Sequence, residues 1–467
     1  MVRSRIRRRR RNPHSHAIRF MDGSFTFLGL LLLLILAPLP LGSIAPWAQA
    51  LLTGGIFALL AAWALRPGNS SPSDSRLALI LTVWALAVLF AFLQIIPLPP
   101  DAIAAISPSL HDLYRWALPG YGLDGSWRTL STAPGATIQS GLLMGACGAA
   151  FFLAARHGRN RARALALAYT VIVGGLGEAM YGLVQVGGSL SRPASGTFVN
   201  RNHFAALLAM ALCVGVGVLL ARWQAGAGER EPRARLDRWA RTSPLVVACL
   251  TILAGVTFSF SRMGLTAPVL MMVLFGIAWL FGPVPQRTRL IGAGVGAVAL
   301  LLVGGGWPAL QVMAERFQTL EDSYRVVAWE GTYALFQSSP IMGIGLGGLM
   351  DNLPRFLSAP IQEIFDHSHN EALEVLAEGG VVYAALIGMG FAVYFGTAVP
   401  MWIRRRDPLA RGLGFGCLAA ASSVLLHGLV EFPLRIPSNA VYLSVIMGLG
   451  WAVIHMPSRA PAEHARG

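Results

Sequence analysis

The sequence predicts an all-α fold, a polytopic integral membrane protein of about twelve transmembrane helices, and three observations carry that prediction. The 467 residues are 55% hydrophobic and only 13% charged, with a mean hydropathy of +0.58. That is too apolar for a water-soluble domain of this size. Apolar stretches of membrane-spanning length recur from Phe25 to about Ile454, separated by short polar links. These runs are continuous and do not alternate with period two. Lipid cannot hydrogen-bond a backbone, so such runs read as helices rather than as the strands of a closed barrel.

Residues 1–24 form an Arg-rich cytoplasmic N-terminus. Five helices follow within 25–190, at 25–41, 44–65, 77–97, 136–155 and 164–187, with an outer loop at 98–135. Four more are expected at 203–221, 243–259, 264–282 and 289–306, then a large outer segment at 307–375. Spans at 376–401, 410–430 and 438–455 complete the set, and 438–467 holds the last helix and a cytoplasmic tail. An Arg block before Leu30–Leu36, with Ala48-Gln49-Ala50 beyond, resembles a secretory signal with its cleavage site. Pro38 and Pro40, followed at once by a second apolar run, instead suggest a tight hairpin and an uncleaved first span.

Charge placement sets the orientation. All 37 basic residues are Arg, and the formal net charge is +15. With the N-terminus inside, 28 of the 37 lie on inner segments and 9 on outer ones. This is the positive-inside rule, obeyed at every inner link, and it leaves both termini cytoplasmic. A basic protein with its charge so distributed faces membrane lipids and not nucleic acid. Cys147, Cys213, Cys249 and Cys417 all fall inside apolar spans without metal or pairing spacing, as packed thiols do.

Chemistry-bearing residues gather on the outer side. The 307–375 segment is amphipathic (Val326, Val327, Trp329, Leu335, Phe336) and is expected to form short helices on the membrane surface. It carries Arg325 and ends in Asp366-His367-Ser368-His369-Asn370-Glu371 as the tenth span begins. Capping and dipole charge explain Asn370, Glu371 and Glu374. They leave two His unexplained. A His at this interface titrates near neutrality, so His369 suits a general base that takes a proton from a hydroxyl and releases it to bulk water. A packed His, or a metal ligand, stays open, although His-x-His with one Asp is short of a full ligand set.

Three other outer clusters stand where hydrocarbon would forbid polar groups without a purpose. Asn200, Arg201, Asn202 and His203 open the sixth span, and Arg262 follows Ser261 in a hairpin too short to need it for solubility. His427 and Glu431 lie four apart, as on one helical face at the end of span eleven. Guanidinium groups bind phosphate oxygens in bidentate geometry, so Arg262 and Arg325 fit a diphosphate. Gly343-Ile-Gly345-Leu-Gly347-Gly348 satisfies a dinucleotide-binding spacing but has no βαβ frame. It reads better as backbone freed for close helix approach.

With these residues in view, the chain resembles the O-antigen ligase and polymerase superfamily of bacterial membrane glycosyltransferases, over roughly residues 195–440. The resemblance rests on Phe198-Val-Asn200-Arg-Asn202, Ser261-Arg262, Arg325 with Trp329, Pro340 through Gly348, and His369-Asn370 followed after nine residues by Gly380-Val-Val-Tyr383. It implies transfer of a glycan from undecaprenyl diphosphate to a glycan or lipid A core acceptor on the periplasmic face. It implies neither a nucleotide sugar nor a required metal. It further implies that His369 acts as base, while Arg262 and Arg325 hold the diphosphate. On this reading a carboxylate such as Glu378 or Glu431 orients His369, direct attack inverts the anomeric centre, and Asn200, Arg201, Asn202 and His203 line the acceptor or sugar side, with His367, Asn370 and His427 as further binding residues. Ligation, polymerisation and transfer to protein share these motifs, and the short tail weighs against protein transfer.

The competing class is a twelve-span secondary transporter or polysaccharide-export protein, with Glu178 as a coupling carboxylate. Against it, the halves show no repeat and the polar residues crowd one face instead of the midplane.

Overall fold

A computed structural model of the protein describes residues 13–66, 74–117, 125–187, 192–226, 231–282, 320–358 and 365–457. Among them are fifteen α-helices and no β-strand, only an isolated bridge between Leu98 and Arg128. In chain order the first eight are α1 (Pro13–Leu36), α2 (Pro46–Ala64), α3 (Ser75–Leu93), α4 (Pro100–Ile106), α5 (Pro108–Ala117), α6 (Pro134–His157), α7 (Arg161–Val186) and α8 (Arg201–Ala225). The other seven are α9 (Pro232–Phe258), α10 (Arg262–Leu280), α11 (Leu320–Ser338), α12 (Leu349–Asn352), α13 (Glu371–Ile403), α14 (Pro408–His427) and α15 (Pro437–Ile454). Ten are long and apolar enough to cross a membrane, and α1 adds the shorter apolar stretch Phe25–Leu36. These eleven coincide with eleven predicted spans. The ninth, expected at 289–306, lies outside the described residues, as do residues 1–12 of the Arg-rich start and the end of the tail.

Helix starts follow local chemistry. Proline occupies the first turn of α2, α4, α6, α9, α14 and α15, where its missing N–H leaves no bond unmade. Asp74, Asn160, Asn200, Ser261, Asn370 and, in α14 together with its proline, Asp407 accept first-turn backbone N–H groups through their side chains. Between α1 and α2 the chain turns within a few residues, with Gly42 N donating to Pro38 O at 2.7 Å, the hairpin expected from Pro38 and Pro40.

Helices α8, α14 and α15 form the centre of the bundle, with 83%, 83% and 89% of their apolar windows buried, against 22% for α13. Their small residues permit this. A Cβ on Gly217 would stand 2.7 Å from Gly412 O and 2.8 Å from Gly416 Cα, so α8 and α14 meet backbone to backbone. The four cysteines are buried and free, packed as the sequence suggested.

On the side of the bundle that carries the candidate site, α4 and α5 pack against the end of α11, where the Ser107 and Ser339 hydroxyls lie 3.1 Å apart. Helix α11 is a single 19-residue helix, longer than the short helices expected there. Leu335, Leu349 and Leu353 bury themselves against Ala377, which ties this segment to α13. The glycine-rich turn runs through positive φ at Gly343, Gly345 and Gly347. A Cβ at Gly343 would meet Glu378 O at 2.2 Å and one at Gly345 would meet Ser131 Oγ at 2.3 Å. The turn is therefore wedged between α13 and the start of α6. Gln94 locks it by donating to Met342 O at 2.8 Å and accepting from Leu346 N at 3.3 Å.

A Gly217→Leu substitution forces α8 from α14 and is expected to destabilise the protein by about 1–3 kcal/mol. Gly177→Ala is the control, since no atom lies within 4 Å of the added Cβ. Thermal unfolding in detergent should place the first variant well below wild type and leave the second at or above it.

Candidate active site

The site is organised by one carboxylate. Glu431 is 2% exposed and lies just beyond the end of α14. The expectation that His427 and Glu431 share a helical face is corrected here. Helix α14 stops at His427, Leu429 N bonds Leu426 O and Val430 N bonds His427 O, and the tightened turn runs into Pro433. Proline cannot continue the ladder, so Glu431 enters the site from a loop.

Glu431 Oε1 accepts from Asn202 Nδ2 at 2.6 Å and from Arg325 Nη2, and its Oε2 accepts from His369 Nδ1 at 3.1 Å. Asn202 stands in the first turn of α8, Arg325 in α11, and His369 just before α13. Burial alone would raise the Glu431 carboxyl, but the His369 bond and charge and the Arg325 guanidinium hold it below the usual carboxylate value. It is therefore ionised and can only accept. In the neutral imidazole of His369 the proton facing Glu431 lies on Nδ1, and Nε2 keeps the basic lone pair. His369 also has φ of +53°, a left-handed conformation that a non-glycine residue holds only when its surroundings impose it.

A second carboxylate sits alongside. Glu374, 0% exposed, accepts from His367 Nδ1 at 2.7 Å, from Ser368 N at 3.2 Å and from Ser368 Oγ at 3.3 Å. Arg435 Nε lies 3.2 Å from the same carboxylate and its Nη2 lies 2.7 Å from Glu378 Oε2. Burial works against the Arg435 charge, but Glu378 and Glu374 outweigh it and raise its pKa further. For His367, burial lowers the pKa while the Glu374 carboxylate raises it, with a net upward shift from 6.5. Phe432 fills the space between the histidines, its ring centroid 4.2 Å from His367, 4.5 Å from His203 and 5.0 Å from His369.

The structure thus brings Asn202, Arg325, His369 and Glu431 into direct contact, with His203 and His367 one ring away. His427 is buried at the end of α14, and the Nε2 atoms of His203 and His427 have no hydrogen-bond partner among the described residues. Asn200 and Asn370 are helix caps, accepting from Asn202 N at 2.8 Å and Leu373 N at 3.1 Å. Arg201 is half-buried at the same helix start. Arg262 opens α10 beside the first turn of α8, where a Cβ on Gly264 would meet Ala205 Cβ at 2.5 Å. Glu378 belongs to Arg435 and not to His369. Glu178 accepts from Thr197 N and Thr197 Oγ1, each at 2.9 Å, and so anchors the turn before α8. Sequence reasoning missed Arg435 and Gln94, and read Glu374 only as dipole charge. The signal for the first was the spacing of Glu371, Glu374 and Glu378, one stripe on two helical turns.

Fold and site together define a polytopic α-helical membrane protein with a histidine–carboxylate–arginine cluster at one end of its bundle. Residues 247–388 match the family described as O-antigen ligase, which supports membership of the O-antigen ligase and polymerase superfamily. The match supports a function of the O-antigen ligase or polymerase type only at that general level. The match takes in Arg262, Arg325 and His367 through Glu378, and ends before Glu431 and Arg435. No curated protein matches the chain.

The His367 shift has a defined sign. Its folded pKa lies above the unfolded value, so its contribution is complete below pH 6.5 and is lost as pH rises through the folded value. Thermal unfolding followed upward from pH 6.5 should show a fall in wild type that His367→Gln flattens.

Proposed function

We propose that the protein is a glycosyltransferase that moves a glycan from undecaprenyl diphosphate to a hydroxyl acceptor on the periplasmic face of the bacterial inner membrane. One observation carries the reading furthest: His369 is bound through Nδ1 to a buried Glu431 carboxylate, so that in the neutral imidazole Nε2 is the basic nitrogen. This is the arrangement a general base requires.

In the proposed reaction His369 Nε2 takes the proton of the acceptor hydroxyl as its oxygen attacks the anomeric carbon. The bond from that carbon to the diphosphate oxygen breaks, and its electron pair leaves with the diphosphate. Attack opposite the leaving group inverts the anomeric centre. Glu431 holds the imidazole in its tautomer and stabilises the imidazolium that forms, which then releases its proton to bulk water. Arg325 keeps its side chain 28% exposed while it touches Glu431, so its remaining N–H groups are available to the diphosphate. Arg262 is assigned to the same group, and Asn202 to fixing Glu431. Nothing in this sequence of steps uses a metal or a nucleotide sugar.

Complementation tests it. In a strain lacking the protein, His369→Ala and Arg325→Ala, at wild-type membrane levels, should abolish polymerised or lipid-A-linked glycan and accumulate the undecaprenyl-linked precursor. The gel banding identifies whether ligation or polymerisation is lost. Normal polysaccharide in both variants would overturn the assignment.

A further inference from the structure

The bond from His369 to Glu431 joins two loops that are distant in sequence. His369 belongs to the 365–370 loop and Glu431 to the 428–435 connection. Their 3.1 Å contact exists only if the two loops hold a fixed relation. Phe432, itself in the second loop, packs on His367 and His369 of the first through ring contacts that carry no hydrogen-bond direction. A directional tie is needed.

Glu374 supplies it. From the first loop it receives His367 Nδ1 at 2.7 Å and both the N–H and the hydroxyl of Ser368, at 3.2 and 3.3 Å. From the second, Arg435 Nε lies 3.2 Å away as its ion-pair partner. Both of its oxygens are used, it is wholly buried, and it projects from a helix whose first turns are fixed in the bundle. The flanking glutamates extend the tie. Glu371 N donates to Gly428 O at 2.8 Å and its side chain accepts from Leu434 N, while Glu378 lies 2.7 Å from Arg435 Nη2. Three carboxylates at i, i+3 and i+7 thus grip the connection that carries Glu431, and the middle one also grips the loop that carries His369. The strained His369 backbone, next to Ser368, is then held from outside.

We infer that Glu374 and Arg435 are positioning residues: their buried ion pair couples the two loops and sets the register of the His369–Glu431 hydrogen bond. Neither is assigned contact with the glycan or the diphosphate. The consequence for catalysis rests on the proposed function, whereas the effect on His369 does not. A loop displaced by about 1 Å is enough to lower a rate on the order of 10²-fold.

The test uses full-length protein in detergent with ring-¹⁵N histidine, His369 being assigned by the loss of its signals in His369→Gln. Wild type should show His369 as one tautomer, Nδ1 protonated and Nε2 not. In Glu374→Gln and Arg435→Ala the two ring nitrogens should move toward averaged shifts, and Arg435→Lys should restore them in part. Surface glycan in the complementation assay should fall in the same order. An unchanged His369 spectrum in folded Glu374→Gln or Arg435→Ala protein overturns the inference, whatever the glycan phenotype. Should Glu374→Gln fail to fold, Arg435→Lys decides, since it keeps the charge and removes the second donor arm: a wild-type His369 spectrum there overturns the coupling. A shifted spectrum together with glycan synthesis that survives His369→Ala would instead sink the catalytic reading and leave the coupling intact.

Discussion

A single buried carboxylate sets the terms for this end of the molecule. Glu431 has almost no contact with solvent. An ionised group in that position is tolerated only with partners that compensate its lost hydration. Those partners come from α8, from α11 and from the loop before α13, at sequence separations of 229, 106 and 62 residues. Each element has therefore to arrive at one point. The close backbone packing of α8 on α14, which glycine makes possible, brings Asn202 to the connection beyond α14. The wedged glycine turn does the same for the chain entering α13. Removing the carboxylate would leave Arg325 and a strained His369 facing one another with nothing between them.

The long-range order was legible in the sequence because the bilayer imposes it. Continuous apolar runs of this length can only be helices in a bilayer, and every predicted span within the described residues has its helix. Caps were legible for the same local reason, as with Asn370 before Glu371. The site was legible one residue at a time. His369 and Arg325 stood out as polar groups with no local purpose. Their shared partner did not, because the spacing of His427 and Glu431 imitates a helical face and only the following Gly428 and Pro433 indicate that the helix has ended.

What periodicity cannot reveal is the identity of the facing group. The stripe Glu371, Glu374 and Glu378 is favourable near a helix N-terminus on dipole grounds alone, and that account is complete without any partner. Arg435, some sixty residues later in the chain, gives the stripe its second meaning. A lone Arg after a proline in an outer link reads as an interfacial anchor. Only the fold makes it the counter-charge of two buried glutamates. Likewise Gln94 ends a lipid-facing helix in the sequence and becomes a fastener of the glycine turn in three dimensions.

Two ion clusters in contact raise the question of why the site is not simply apolar. A hydrophobic interior of the same volume is frequently no less stable than a buried ion pair, so stability does not explain Glu431 or Glu374. Directionality does. Apolar packing around Phe432 would hold three imidazole rings nearby but would not choose which nitrogen of each ring carries its proton. A carboxylate chooses, because it only accepts. Glu431 accepts from His369 Nδ1 and Glu374 from His367 Nδ1, so in each ring the nitrogen that faces a carboxylate is fixed as the donor before any substrate arrives. The left-handed backbone at His369 is the geometric counterpart, since it turns the ring from the Ser368 anchor toward Glu431. The electrostatics at this end of the bundle is thus best read as an apparatus for fixing where protons reside, assembled from charges that the bundle could otherwise have done without.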